Sequence, residues 1–119
     1  GMATAMLKKK GLIVAILTGE NSDIVIARAE KLNIDEVYVD EHEKLKRLTY
    51  LTKKYEISMD EVAFIGDDVN DLEVLKAVGF SALAGNSPII DQFTPDYITT
   101  RHGGNGAFRE FADIILNAQ

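Results

Sequence analysis

Residues 61–71, EVAFIGDDVND, combine a hydrophobic run with three aspartates near the middle of the chain. The β-branched and aromatic residues from Val62 to Ile65 predict a buried strand that ends at the following glycine. A helical pattern begins a few residues later, which places the aspartates at the carboxyl end of this strand. Ligands of open α/β sheets bind at this edge. The stretch therefore predicts an α/β fold with a candidate site at its aspartates, which are Asp67, Asp68 and Asp71.

Two interpretations fit the adjacent aspartates. Neighbouring carboxylates repel each other unless a cation or a hydrogen-bond network holds them, which favours a divalent metal site. Mg²⁺ in particular prefers a few carboxylates together with water and phosphate oxygens. Alternatively, Asp67 and Asp68 form a polar turn, and Asp68 or Asp71 lies near the N-terminus of the next helix, where acidic residues are favoured. The stretch alone leaves both interpretations open.

Composition favours one domain over residues 1–119 and limits the possible partners. The chain has 119 residues, of which 46% are hydrophobic, enough for a single core. Its formal net charge of −6 argues against nucleic-acid binding. The absence of cysteine excludes disulfides and a thiol nucleophile, and it fits a cytoplasmic location. The apolar run Leu12–Leu17 is too short to cross a bilayer, so we expect no membrane span.

Hydrophobic patterning over the rest of the chain predicts alternating strands and helices. The predicted strands are residues 12–17, 36–39, 61–65, 80–84 and 96–99. The predicted helices are residues 2–10, 22–32, 43–55, 70–78 and 107–118, with a short helix after the turn at 85–88 and a glycine-rich loop at 101–106. This alternation predicts a three-layer α/β sandwich with a mainly parallel sheet.

Other polar residues follow predicted strands and are expected at the same sheet edge. The Thr18 hydroxyl and the backbone amides around Gly19 suit phosphate oxygens, and Lys44 adds a positive charge. Each residue also has an ordinary explanation, with Thr18 as a helix cap and Lys44 as a surface lysine. Their combination with the aspartates predicts a site for phosphate and metal.

These segments resemble, in order and spacing, the second, third and fourth motifs of the haloacid dehalogenase superfamily. The matching segments are Leu17–Glu20, Lys44 at a helix start and Ile65–Asp71. The branch that the chain resembles most contains small capless phosphatases of sugar acids, which act on 3-deoxy-manno-octulosonate 8-phosphate or on nine-carbon 9-phosphates of the sialic-acid type. The resemblance covers essentially the whole chain, including residues 103–110. It implies a Rossmann-like fold, a Mg²⁺-dependent hydrolase and a phosphorylated sugar acid as partner.

The resemblance also implies a role for each matching residue. Thr18 and the Gly19 amide would bind phosphate, and Lys44 would stabilise both the phosphate and the nucleophile. The first aspartate would ligate Mg²⁺, and the other two would support the metal site. These metal-site residues are Asp67, Asp68 and Asp71.

Glu20 implies a preference for nine-carbon substrates over octulosonate. Octulosonate phosphatases tend to carry arginine at this position, whereas the nine-carbon group resembles this chain. Arg28 and Lys31 match positions that the nine-carbon group uses toward its substrate. At about 100° per residue, Lys31 lies roughly 20° and Arg28 roughly 80° around a helix from Glu20, so the three can share one side. The alternative is an ordinary charged helix face. Capless members form tetramers in which a neighbour helps to close the site, and we expect the tail near Arg109 to do so.

One element of the family pattern is missing from these residues. Catalytic members have a central strand ending in Asp-x-Asp, whose first aspartate attacks phosphorus and whose second is the general acid, and this chain has no such segment. Residues 2–6 match the helix that normally follows it, so we expect a chain that is truncated relative to the family. The strands ending at Leu17 and Ile65 should then pair directly, or another chain should fill the gap between them. We expect hydrolysis by this chain alone to be absent or very slow.

Three hypotheses follow from the sequence. The first is a Mg²⁺-dependent sugar-acid phosphatase represented by an incomplete chain. The second is a non-catalytic domain that binds phosphorylated sugar acids or serves as an oligomer scaffold. The third, a receiver-type signalling domain, is disfavoured because receivers place their acidic pair before the threonine and lysine, which is the reverse of the order here.

Overall fold

Strands and helices alternate along most of the chain in a computed structural model, which describes residues 2–9, 11–102 and 105–117. The strands are β1 (Met2–Lys9), β2 (Gly11–Thr18), β3 (Glu36–Tyr38), β4 (Val62–Gly66), β5 (Phe80–Leu83) and β6 (Tyr97–Ile98). The α-helices are α1 (Asp23–Lys31), α2 (Lys44–Lys54), α3 (Leu72–Ala77) and α4 (Asn105–Asn117), and single 3₁₀ turns cover Met59–Glu61 and Val69–Asp71.

The strands form one six-stranded sheet in the order β3-β2-β1-β4-β5-β6. β2 and β3 are parallel, and so are β4 with β5 and β5 with β6. Only β1 is reversed, since it is antiparallel to both of its neighbours, β2 and β4. The predicted α/β fold with a mainly parallel sheet is confirmed.

β1 corrects two predictions about the start of the chain. The predicted helix over residues 2–10 is wrong, because Met2–Lys9 is a strand, while Lys10 lies outside the described residues. β2 and β4 do not pair directly, and no second chain is needed, because β1 lies between them with Thr4 opposite both Ile16 and Ile65. Short apolar runs fit helix and strand alike. Residues 2–9 form a strand here because they pair with β2 and β4, whose facing edges would otherwise be open and buried.

Alternate residues of the strands build two hydrophobic cores, one on each face of the sheet. On one face, α2 and α3 pack against side chains such as Leu7, Leu17 and Phe64. On the other face, α4 packs Phe111 against Met6 and other strand residues. α1 covers this second face as well, because its residues line a cavity together with Ile16 of β2 and Phe108 of α4. Successive side chains of a strand point to opposite faces of the sheet, so both faces are hydrophobic and both are covered by helices. This gives the three-layer arrangement.

After β1, the helices agree with the sequence pattern except around residues 85–105. Ser22 caps α1 as predicted, and its hydroxyl accepts a hydrogen bond from the Val25 N–H at 3.3 Å. The predicted short helix after residues 85–88 is wrong, because residues 88–92 form turns closed by bonds such as Gln92 N–H to the Ile89 carbonyl. α4 begins inside the predicted loop, of which Gly103 and Gly104 lie outside the described residues. Within the described ranges no helix has the length and hydrophobicity to span a membrane.

Candidate functional site

The polar residues singled out from the sequence follow β2, β3 and β4 at one edge of the sheet. Thr18 ends β2, and Lys44 begins the helix after β3. Since Thr18 pairs with Met2 and Ile65 with Thr4, the register places Asp67 level with Thr18 on the far side of β1. Two strand spacings of ~4.8 Å separate these positions by about 10 Å. Met2, the first residue of β1, lies between these two positions.

A buried ion pair crosses this edge of the sheet. Lys44 Nζ donates to Asp71 Oδ1 at 2.7 Å, and the two side chains are only 4% and 0% exposed. Lys44 follows β3 and Asp71 follows β4, so the pair bridges the positions of β2 and β1 between them. The interpretation of Lys44 as a surface lysine is therefore wrong. Its catalytic role stays a prediction.

Asp71 holds the turn that carries the other two aspartates. Its Oδ2 accepts hydrogen bonds from the backbone N–H groups of Asp67 at 3.0 Å and Asp68 at 3.2 Å. A Cβ added to Gly66 would lie 2.7 Å from the Asp71 Cβ, so the close approach requires glycine. With both oxygens engaged, Asp71 positions the turn and Lys44 rather than facing a ligand. In the described part of the chain, no three acidic or histidine side chains are grouped as a metal cluster.

Asp67 is the aspartate whose surroundings fit a cation. Its Oδ1 is buried and has no hydrogen-bond partner among the described residues. Burial raises the pKa of Asp67, and the charge of Asp71 raises it further. The Ser87 hydroxyl donates to the Asp67 carbonyl at 2.9 Å and fixes its backbone. A buried carboxylate oxygen without a donor is the kind of ligand that Mg²⁺ takes, so the residues fit this metal.

Asp68 combines features of both interpretations of the aspartate pair. Its side chain accepts from the Asn70 N–H at 3.4 Å and caps the 3₁₀ turn, as the polar-turn interpretation expects. Burial alone would raise the pKa of Asp68, but opposing effects, which include the hydrogen bonds from the N–H groups of Asn70 and Val69, lower it below its ordinary value. Asp68 is therefore kept ionised next to Asp67.

Thr18 is fully buried and shapes the turn that follows β2. Its Oγ1 accepts from the Glu20 N–H at 3.1 Å and closes a local turn, whereas the cap of α1 is Ser22 rather than Thr18. The Thr18 carbonyl accepts from the Glu41 N–H at 2.8 Å, and the Glu20 carbonyl accepts from the Asp40 N–H at 2.8 Å. These bonds join the loops after β2 and β3. The phosphate-binding roles of Thr18 and Gly19 stay predictions.

The charged residues predicted to choose the substrate are dispersed. Glu20 precedes α1, which begins at Asp23, so the angles estimated around a helix do not apply to it. Arg28 and Lys31 are exposed on α1, which leads away from the site edge. At 1.5 Å per residue, Lys31 lies about 12 Å along the axis from Asp23. The structure does not bring Lys31 to the phosphate-binding turn of its own chain.

Arg109 lies on α4 and lines a separate cavity of about 530 Å³ that contains none of the other predicted site residues. Next to it, Glu110 accepts from the Tyr97 hydroxyl at 2.6 Å and from the N–H groups of Thr100 and Arg101, both at 2.9 Å. These hydrogen bonds, led by that of Tyr97, lower the pKa of Glu110 to about 2. Within one chain, Arg109 therefore faces the junction of β6 and α4.

Two residues near the site were not identified from the sequence. The sequence pattern at Ser87 indicates only a turn, although its position after β5 at the same sheet edge is a usable signal. No motif of the sequence points to His42. Its imidazole lies beside Gly19, with Nδ1 3.5 Å from the position that a Gly19 Cβ would take.

In the metal-free protein, Asp67→Asn is expected to raise the melting temperature at pH 7 by about 2–5 °C. The raised pKa means that folding disfavours the ionised form, so the charge costs stability above the folded pKa. The advantage of the variant should vanish as the pH falls below the ordinary value of 3.8, where Asp67 is protonated in both states. Mg²⁺ should stabilise the wild type only. Thermal unfolding from pH 3 to 8 tests this, with the exposed Asp91→Asn as control, and a destabilised variant would contradict it.

Comparison with known proteins gives consistent matches. A family model described as haloacid dehalogenase-like hydrolase matches residues 4–109. The 3-deoxy-D-manno-octulosonate 8-phosphate phosphatase of Haemophilus influenzae is 35% identical over 119 residues, which cover all of this chain and 66% of that protein. The Escherichia coli K12 phosphatase of the same name is 38% identical over 107 residues, or 89% of this chain and 56% of that protein. The chain thus spans slightly more than half to just under two thirds of these relatives' length.

Solved structures of such proteins share the fold. The cobalt-bound phosphatase of Haemophilus influenzae superposes with a TM-score of 0.80 at 36% identity, covering 88% of this chain and 61% of that one. The Moraxella catarrhalis phosphatase, in complex with a magnesium ion, a phosphate ion and a KDO molecule, gives a TM-score of 0.82 at 42% identity. That match covers 88% of this chain and 60% of the other.

Proposed function

This chain belongs to the haloacid dehalogenase-like hydrolase family, and from that premise we propose that its site binds a phosphorylated 3-deoxy-2-keto sugar acid together with Mg²⁺. The proposal is supported by relatives named as octulosonate 8-phosphate phosphatases. It is also supported by a solved relative that holds magnesium, phosphate and a KDO molecule.

The observation that carries the proposal is the buried Lys44–Asp71 pair beside the unpartnered Oδ1 of Asp67. Lys44 brings a cation to the carboxyl edge, where the Thr18 and Gly19 turn offers backbone amides. Three carboxylates against one lysine leave the site negatively charged, so a phosphate dianion would be repelled without a divalent cation. The metal and the phosphate are therefore expected to bind together.

Asp67 would hold Mg²⁺ through its buried Oδ1, with Asp68 as the second carboxylate. When bound, Mg²⁺ would neutralise charge on the phosphate and orient its oxygens. Asp71 keeps Lys44 and the turn in place through the ion pair and two N–H bonds. Lys44 balances charge on the bound phosphate, and Thr18 shapes the turn that receives it.

We propose further that this 119-residue chain alone binds the phosphate ester without hydrolysing it. An aspartyl-phosphate route needs a carboxylate in line with the phosphoryl group. The central strand β1 runs toward the opposite edge and contains no acidic residue. Asp71 is held by Lys44, and Asp67 and Asp68 are assigned to the metal. This feature favours a binding function for the isolated chain.

The finer expectations remain predictions. The nine-carbon preference rests on Glu20, whereas the relatives described above are named for the octulosonate ester. The family resemblance supports the tetramer and the roles of Arg28, Lys31 and Arg109, and the absence of cysteine supports the cytoplasmic location. Octulosonate 8-phosphate is therefore the first ligand to test.

Calorimetry and thermal unfolding with 3-deoxy-manno-octulosonate 8-phosphate test the proposal. With Mg²⁺ present, ligand at 100 times its Kd should stabilise the protein by about 2.7 kcal/mol. The dephosphorylated sugar acid and the metal-free protein should give no such effect, and a phosphate-release assay should give no product. Absence of Mg²⁺-dependent binding would refute the binding site. Phosphate release that Asp67→Asn abolishes would refute the non-hydrolytic part.

A further inference from the structure

His42 is fixed relative to the predicted phosphate-binding turn. The loop after β3 is joined to that turn by two backbone hydrogen bonds, from the Asp40 N–H to the Glu20 carbonyl and from the Glu41 N–H to the Thr18 carbonyl, both 2.8 Å. The His42 ring then lies against Gly19, with Nδ1 and Cε1 3.5 and 3.6 Å from the position of a Gly19 Cβ. A ligand on this turn would therefore meet the imidazole.

A second contact sets the orientation of the ring. His42 Nε2 lies 2.9 Å from Asp40 Oδ1, although both side chains are largely exposed, 71% and 65% respectively. An ionised carboxylate only accepts hydrogen bonds, so Nε2 carries the proton in this contact. In the neutral ring Nδ1 is then an acceptor, and it is the ring nitrogen nearer to the position of a Gly19 Cβ. The geometry therefore offers a hydrogen-bond acceptor beside the phosphate-binding turn.

The same histidine lines a polar cavity of about 380 Å³ that reaches Lys44. Asn70 and Glu73 line it from the β4 side, so the wall offers both donors and acceptors. A wall of mixed donors and acceptors suits a chain of hydroxyl groups, each of which donates and accepts. It suits a hydrocarbon or a second phosphate less well.

We propose that His42 is a substrate-specificity residue whose Nδ1 accepts a hydrogen bond from a hydroxyl of the polyhydroxylated chain attached to the phosphate. The chain occupies the cavity between α2 and the turn after β4, while its phosphate lies at Thr18, Gly19 and Lys44. Asp40 acts as a positioning residue through Nε2. This inference rests on the proposed function, which supplies the position of the phosphate. The inference adds the residue that distinguishes a hydroxylated phosphate ester from inorganic phosphate.

Binding of two ligands to His42→Ala tests the inference. The Kd values of octulosonate 8-phosphate and of inorganic phosphate are measured by calorimetry with Mg²⁺ present. The variant should bind the sugar ester about five- to tenfold more weakly, because one hydrogen bond is lost. Its Kd for inorganic phosphate should stay within about twofold of the wild-type value. Asp40→Asn should weaken ester binding by a smaller factor in the same direction. His102→Ala removes the other histidine, which is also exposed, and should change neither Kd.

The possible outcomes separate this inference from the proposed function. If the wild type binds neither ligand, the proposed function fails and the inference with it. If the wild type binds both and His42→Ala weakens both equally, His42 acts on the turn and the specificity role is overturned. An unchanged ester Kd in His42→Ala would overturn it as well. An unaltered melting temperature of each variant shows that the fold is intact.

Discussion

Replacing Lys44 with methionine is expected to destabilise the protein by about 3–5 kcal/mol and to abolish Mg²⁺-dependent phosphate binding. Methionine fills much of the space of the lysine stem but removes the ammonium group that Asp71 faces at 2.7 Å. Asp71 is fully buried, so its charge would lose its partner without gaining water. The ligand would also lose the cation at the site edge.

Urea unfolding and calorimetry measure both effects of Lys44→Met. The matched control is Lys53→Met on the exposed side of the same helix, which should change stability by less than about 0.5 kcal/mol. Adding Asp71→Asn to Lys44→Met should recover part of the stability, because the unpaired charge is removed while a side-chain oxygen remains for the turn amides. The double variant should still fail to bind phosphate. A stable Lys44→Met protein that binds normally would contradict the assigned pair.

Gly66→Ala is expected to destabilise the protein by about 1–3 kcal/mol and to weaken Mg²⁺ binding. The added Cβ would lie 2.7 Å from the Asp71 Cβ and 2.8 Å from its Oδ2. Asp71 cannot move away freely, because it is buried and bound to Lys44 and to two backbone amides. The overlap would therefore displace the carboxylate that holds the Asp67 turn.

A matched glycine makes the Gly66 result interpretable. At Gly106 the atoms nearest to a new Cβ belong to the flexible Arg101 side chain, with its Cδ at 3.3 Å, and alanine is the better helix former in α4. Gly106→Ala should thus be neutral or stabilising in the same unfolding experiment. Equal effects of the two substitutions would mean that contact with Asp71 is not the cause.

The fold could be predicted largely from local patterns. Residues 12–17 and 62–65 are continuous apolar runs, as buried parallel strands require, and they lie within β2 and β4. Leu48 and Leu51 repeat at helical spacing and lie in the core beneath α2. Such signals depend on neighbouring residues alone, which is why the sequence carries them.

The beginning of the chain could not be predicted in this way. Residues 2–9 contain alanine, methionine and leucine, which fit a helix, yet they form β1 because β2 and β4 present open edges on both sides. The gain from two ladders of backbone hydrogen bonds exceeds the local preference. No short-range pattern records that competition.

For the candidate site, the sequence by itself determined the residue types and the edge of the sheet, because aspartates after one strand and a threonine after another meet wherever the strands are parallel. The tertiary structure alone decided their partners. It paired Lys44 with Asp71, left Asp67 Oδ1 buried without a donor, brought His42 to Gly19 and separated Arg109 from them all. Pairings across 27 residues of chain depend on which strands are neighbours, and that order follows from packing the whole sheet.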